Sequence, residues 1–306
     1  MVNATAASLT ALGTALMRAV HSRLDPSPVL DDTWGEVLVK NDERDAILSL
    51  ALSSLEEDAR LALLGSVPPD MVLPTVLRRS PGYGMVVLRS RYAEDALATA
   101  VTEGVRQYVL VGAGMDSFSV RRPPWASAVQ IFEVDLPATQ DLKRRRMKEA
   151  GALAPTGLTF VATDLADEPL DVALRRNGFD AEAPSFFSWL GVTSYLAREA
   201  NLRTLEAMSR CSGSGSQIVF TYIDQGVFET AGESDEMLRA QRSLARSGEP
   251  WVSGFHPSEL PSLLGDIGFD LLEDLGGREL GERYTGASGQ LDAPQEMRIA
   301  CARRRS

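Results

Sequence analysis

Gly112, Gly114 and Asp135 are of the right types, at the right spacing, to hold a nucleoside. Residues 107–116 read QYVLVGAGMD, an apolar run that stops at two glycines and is followed by an acid. Glycine lacks the Cβ that would keep a ligand off the backbone, so such a turn can lie against one. A second apolar run, 129–132, leads into Glu133, Val134 and Asp135, and Asp135 stands 23 residues beyond Gly112. In strand–helix–strand units that bind nucleotides, an acid about 20 residues after the glycines accepts hydrogen bonds from the ribose hydroxyls. Glu133 is the rival for that role, and strand alternation is expected to point it differently from Asp135. A dinucleotide suits the turn less well, because G-x-G-x-x-G requires glycine at position 117, where Ser117 stands. On its own a G-x-G turn is a weak signal, and a purely structural role is the lesser alternative.

Positioning these residues requires a parallel sheet. From 107 onward, strand patterns at 107–112, 129–134, 158–162, 185–190 and 216–222 alternate with helical patterns at 137–150, 166–177 and 196–210. That alternation predicts right-handed crossovers and a doubly covered sheet. A helix at 258–267 and strands at 269–275 and 296–302 bring the count to seven. Residues 225–255 are polar, lack strand periodicity and carry Phe228, Trp251 and Phe255, which suggests an inserted helical cap. Upstream, a helix is expected over 4–20, another over 42–64, a loop-rich passage around Pro68, Pro69, Pro74 and Pro81, and a helix over 84–103.

Bulk properties narrow the function. A net charge of −11 argues against a nucleic-acid or anionic-membrane partner. No apolar run reaches membrane-spanning length and the first residues do not read as a signal peptide, so a cytoplasmic protein is expected. Cys211 and Cys301 are too far apart in sequence to suggest a zinc site or redox pair, and no metal is expected. The basic run 143–146 reads as a solvated helix face, and 303–305 as a basic tail.

Five words, RSRYAED at 89–95, VLVGAGMDS at 109–117, FEVDLPATQDLKRRRM at 132–147, ATDLAD at 162–167 and GVTSYL at 191–196, resemble the leucine carboxyl methyltransferase family. The resemblance runs in order from about Thr10 to the C-terminus. It implies a Rossmann-like class I methyltransferase fold, α/β, with a seven-stranded, mostly parallel sheet whose last strand is antiparallel. It also implies S-adenosylmethionine as cofactor and an O-methyltransferase activity. Residues 1–104 would form an N-terminal helical lid region, and 105–306 the cofactor-binding core with the cap at about 225–256. By the same resemblance Arg89 matches an arginine that pairs with the methionine carboxylate, and Asp164 with Leu165 matches an adenine-binding pair. From the residues alone a surface arginine on a helix is the commoner reading of Arg89, while Asp164 reads equally as a helix cap. Relatives closest to the protein-modifying enzyme carry glutamate where Leu190 stands here. SWLGVTSYL instead resembles an actinobacterial branch linked to small-molecule metabolism.

For the acceptor side, Trp189, Thr193 and Tyr195 follow the fourth strand, Tyr222 ends the fifth, and Trp251, Phe255 and His256 come from the cap. Each could equally be a packing residue. Tyr195 and His256 are the candidates for catalysis, His256 as a general base toward a hydroxyl; its bland alternative is a surface histidine before a helix. The expected reaction is methylation of a carboxylate or hydroxyl on a small, natural-product-like metabolite. A catalytically silent cofactor-binding scaffold and an NAD-linked oxidoreductase are the competing readings.

Overall fold

The computed structural model describes residues 9–152, 155–229, 237, 241, 245, 248–286 and 291–305. Its sheet begins with β1 (Gln107–Val111), whose five residues are all buried because helices cover both faces. Tyr108 and Leu110 pack into one apolar cluster, while Val109 and Val111 pack into another on the opposite face. The remaining strands are β2 (Gln130–Asp135), β3 (Leu158–Ala162), β4 (Ser185–Trp189), β5 (Gln217–Ile223), β6 (Phe269–Gly276) and β7 (Met297–Arg304). They form a seven-stranded sheet in the order β3-β2-β1-β4-β5-β7-β6. Only β7 is antiparallel to its neighbours, as the resemblance implied.

Strand order reverses between β1 and β4, which pair in parallel. In open α/β sheets the crevice at such a switch point, beyond the carboxyl ends of the strands, is where ligands bind. The turns after β1 and β4 therefore face a common opening.

Six helices precede the sheet: α1 (Leu9–Leu24), α2 (Gly35–Leu38), α3 (Asn41–Ser53), α4 (Glu57–Ser66), α5 (Pro69–Arg78) and α6 (Tyr83–Thr102). On α1 the buried residues Leu12, Ala15, Leu16 and Ala19 follow helical spacing, and the first three pack with Leu38, Ile47, Leu77 and Met115. The last of these belongs to the turn after β1, so α1 lies over it. The passage expected to be loop-rich contains α5 instead. Pro69 occupies the first turn, where its missing N–H costs nothing, and Pro74 inside the helix removes only one hydrogen bond. The single helix expected over 42–64 is broken at 54–56 into α3 and α4. Although α6 falls within the first 104 residues, it packs on β4 and β5 and covers the sheet.

After β1 come α7 (Phe118–Arg121), α8 (Pro137–Glu149), α9 (Leu170–Arg176), α10 (Arg198–Arg210), α11 (Gly226–Glu229), α12 (Leu260–Asp266) and α13 (Gly277–Thr285). The helix expected from 166 starts only at Leu170, because residues 164–168 form a separate turn capped by Asp164. Within the cap expected at 225–256, residues 230–236, 238–240, 242–244 and 246–247 lie outside the described residues. No described helix is long and apolar enough to cross a membrane.

Candidate cofactor and acceptor site

The 112–116 turn is built on positive backbone angles, with φ of 68° at Gly112 and 47° at Gly114. A Cβ at Gly112 would come within 2.5 Å of Val192 Cγ2, so only glycine lets this turn approach the one after β4. The amides of Gly112 and Ala113 donate to Val134 O, tying the turn to β2. Asp135 fixes its far side: Oδ2 accepts from Gly114 N at 2.6 Å and Oδ1 from Leu136 N at 2.7 Å. Burial pushes the Asp135 carboxyl up, and these amides oppose the push.

Glu133 differs from Asp135 in depth, not in direction. With a two-residue period both side chains lie on the same face of β2, which corrects the expectation that alternation separates them. Glu133 is fully buried, where Lys143 Nζ donates to Oε2 at 2.6 Å and Ser119 Oγ to Oε1 at 2.7 Å. Burial pushes its carboxyl up while Lys143 holds it down. Gln140 Nε2 donates to Glu133 O and Val161 O, bridging β2 and β3. Lys143 is thus an internal cation and not part of a solvated face; Arg146, also buried, pairs with Glu43 of α3 at 2.8 Å.

Arg89, on α6, lies at the crevice. Its guanidinium presses on Gly191, where a Cβ would fall 2.5 Å from Nη1. Among the described residues it has no hydrogen-bond or ion-pair partner, and burial pushes its pKa down to about 10, opposed by Tyr195 and Asp116. A half-buried guanidinium held without a carboxylate is costly unless an anion arrives. Tyr195 stands beside it, near Trp251 and Thr10 of α1, and burial raises its pKa to about 12 while Arg89 opposes the rise. The tyrosine is therefore a neutral phenol near neutral pH.

A buried ionic interlock that the sequence did not reveal joins α1 to the turn after β1. Arg18 of α1 donates from Nε to Asp32 Oδ2 at 2.7 Å and from Nη2 to Met115 O at 2.8 Å. Asp32, with 0% exposure, also faces Arg121 at 3.9 Å, with Ser117 nearby. Arg121 donates to Ser117 Oγ at 2.9 Å and pairs with Glu94. Ser117, where a dinucleotide motif would have glycine, thus helps to hold Arg121 beside Asp32. The one available sequence signal was Arg18 inside an apolar helical stripe. Burial alone would raise the Asp32 carboxyl, but Arg18, Arg121 and Ser117 outweigh it and hold it below its ordinary value. A depressed carboxylate stabilises the fold above its unfolded pKa, and that contribution is lost as pH falls through the folded pKa. Asp32→Asn is expected to cost about 2 kcal/mol at pH 7 and to flatten the acid limb of the stability curve below about pH 4, measured by urea titration.

Other expected site residues have partners elsewhere. Trp189 is fully buried in the core, and Thr193 Oγ1 donates to Thr221 O at 2.6 Å. Tyr222 OH donates to Asp274, which also pairs with Arg298. Phe255, with 0% exposure, packs on Phe220 and Tyr222. His256 caps the turn at Pro257–Glu259 and its Nε2 lies 3.0 Å from Glu229 Oε1, sharing no described partner with Arg89 or Tyr195. Asp164 is exposed and its Oδ1 accepts from Ala166 N at 2.9 Å, while half-buried Leu165 packs against the core. Both follow β3, whose end is joined to β2 by Thr163 N donating to Asp135 O. The structure thus brings together Arg89, Gly112, Gly114, Asp135, Tyr195 and Trp251, with Asp164 and Leu165 on the neighbouring strand end.

Comparison with known proteins accords with this geometry. A Bacillus subtilis protein described as "Putative S-adenosyl-L-methionine-dependent methyltransferase YktD" is 33% identical, the match covering 90% of this chain and 91% of that protein. A Mycolicibacterium smegmatis protein with a similar description is 28% identical over 95% of each. A Thermobifida fusca structure described as a "putative methyltransferase" superimposes with a TM-score of 0.54 at 16% identity, covering 85% of this chain and 95% of that one. A duf574 family protein from Streptomyces avermitilis gives 0.54 at 16%, covering 94% and 96%. The fold is the Rossmann-like class I methyltransferase fold expected from the sequence, and S-adenosylmethionine, the expected cofactor, is the one in the relatives' names. The model of the family described as leucine carboxyl methyltransferase matches residues 11–209, and the chain belongs to that family.

Proposed function

We propose that this chain is an S-adenosylmethionine-dependent O-methyltransferase acting on a carboxylate or hydroxyl of a small metabolite. The observation that carries the reading is Arg89, a half-buried guanidinium without a described partner at the switch-point crevice. In this reading Arg89 grips the methionine carboxylate with two parallel hydrogen bonds. Gly112 and Gly114 let the cofactor approach the backbone, Asp135 holds the ribose hydroxyls, and Asp164 with Leu165 receives the adenine. The 1–104 segment then serves as the lid region and 105–306 as the core.

When bound, the cofactor supplies a sulfonium methyl group for in-line displacement. The chain's own task is to position the acceptor and exclude water. Tyr195 lies near Trp251 and is a neutral phenol, so its hydroxyl hydrogen can orient an acceptor oxygen. A carboxylate acceptor is ionised near neutral pH and needs no base. A hydroxyl acceptor would need one, and His256 serves only if the cap carries it to the crevice. Trp189, Thr193, Tyr222 and Phe255 then act by supporting the walls of the acceptor pocket, and Trp251 by lining it.

Calorimetric titration with S-adenosylmethionine, S-adenosylhomocysteine and NAD tests the reading. Binding of both sulfur nucleosides without NAD is the expected result; NAD binding alone would overturn it. Asp135→Ala is expected to weaken S-adenosylhomocysteine by at least about tenfold, or about 1.4 kcal/mol, since both the ribose contact and the Gly114 anchor are lost. Unchanged affinity in the folded variant would remove the ribose assignment.

A further inference from the structure

S-adenosylmethionine carries an α-ammonium beside its α-carboxylate, and in the reading above Arg89 answers only the carboxylate. The two charges sit on adjacent positions of one carbon, so the group that meets the ammonium must lie close to Arg89. The end of β4 does not supply it, because Leu190 is apolar and packs into the core.

Asp116 meets the condition. It closes the glycine turn, its amide donating to Ala113 O at 2.8 Å, and its Oδ1 accepts from Phe118 N at 2.8 Å. Oδ2 has no hydrogen-bond or ion-pair partner among the described residues, and the side chain is half-buried. The neighbouring residue, Met115, receives Arg18 from the lid. Gly112 abuts Val192, and Gly191 abuts the Arg89 guanidinium, so turn and arginine share one small space. Asp116 acts electrostatically on Arg89, yet the two form no ion pair with each other. Arg121 also feels the Asp116 charge, but its guanidinium is engaged by Glu94 and Ser117. Asp116 and Arg89, opposite charges held near without an ion pair, are complementary to a zwitterion. Glu249 is the rival carboxylate, but it acts on Tyr195 and not on Arg89.

We propose that Asp116 holds the α-ammonium of the cofactor through Oδ2, forming with Arg89 a two-point clamp for the amino-acid end. The clamp rests on the cofactor assignment made above. It makes the intact amino-acid end, and not only the adenosine, a requirement for tight binding.

The test compares S-adenosylhomocysteine with its desamino analogue on the wild type, Asp116→Asn and Glu249→Gln, by calorimetry. Asparagine keeps an oxygen for Phe118 N and removes only the charge; Asp116→Ser, which also keeps an acceptor there, is the second variant. The wild type and Glu249→Gln are expected to prefer S-adenosylhomocysteine by about tenfold or more, as for loss of a charged hydrogen bond. In both Asp116 variants that preference is expected to shrink to about twofold, through weaker S-adenosylhomocysteine binding with the desamino analogue unaffected. Persistence of the preference in folded Asp116 variants, or its collapse in Glu249→Gln alone, would overturn the clamp while leaving the cofactor assignment intact. A wild type that binds neither compound overturns both.

Discussion

Arg89→Met is expected to lose S-adenosylhomocysteine affinity by about 100-fold, or about 2.8 kcal/mol, without lowering the melting temperature of the ligand-free protein. The two halves of this result have one cause. The guanidinium is held half-buried with no described partner, and burial disfavours its charged form. Methionine fills comparable volume and removes the desolvation cost, so the empty fold gains or breaks even. Titration calorimetry reads the loss, and thermal unfolding with and without ligand reads the stability. A variant that unfolds more easily but binds as tightly would make Arg89 a structural residue.

Lys143→Met is expected to destabilise the fold by about 3–5 kcal/mol at neutral pH, because it leaves a buried carboxylate unpaired. Glu133 and Lys143 each have 1% side-chain exposure and meet at 2.6 Å. Without the lysine, burial raises the Glu133 carboxyl further, opposed only by Ser119. A carboxyl whose folded pKa exceeds its unfolded value binds more protons in the native state, so stability falls as pH rises through that window. The deficit is therefore smallest near about pH 4–5 and grows toward neutrality. Urea unfolding across that range measures it. Adding Glu133→Gln should restore much of the loss; if it does not, the damage comes from packing around Lys143 and not from the stranded charge.

The pair also explains why the word FEVDLP is followed by a lysine. Glu133 and Lys143 join β2 to α8 beneath Asp135, and Gln140 extends the connection to β3. The acid at the strand tip is thereby held by a rigid base as well as by the two amides it accepts.

Much of the sheet was legible in the chain because its signals are local. Apolar runs bounded by glycine and acid located β1 and β2, and alternation with helical patterns placed every remaining strand to within about two residues. The ribose candidate was legible for the same reason: the spacing from Gly112 to Asp135 is a property of one strand–helix–strand unit. Local rules failed where context decides. Pro69 and Pro74 look like breakers in sequence, yet one sits at a helix start and the other loses a single bond in a packed helix.

Roles that depend on partners far apart in sequence were decided only by the tertiary structure. Nothing near Asp32 announces Arg18, Ser117 and Arg121, and nothing near Tyr195 announces Thr10 and Trp251. Trp189, Tyr222 and Phe255 have side chains suited to a pocket, but burial on the helix-covered faces of the sheet gave them to the core. By itself the sequence determined the sheet, the glycine turn and the acid that faces it, because backbone preference and the spacing within one strand–helix–strand unit act over a few neighbours. Burial and the pairing of distant charges act only once the chain is closed, and they decided which charge was internal, which residue of α1 met the turn and that Arg89 has no partner among the described residues.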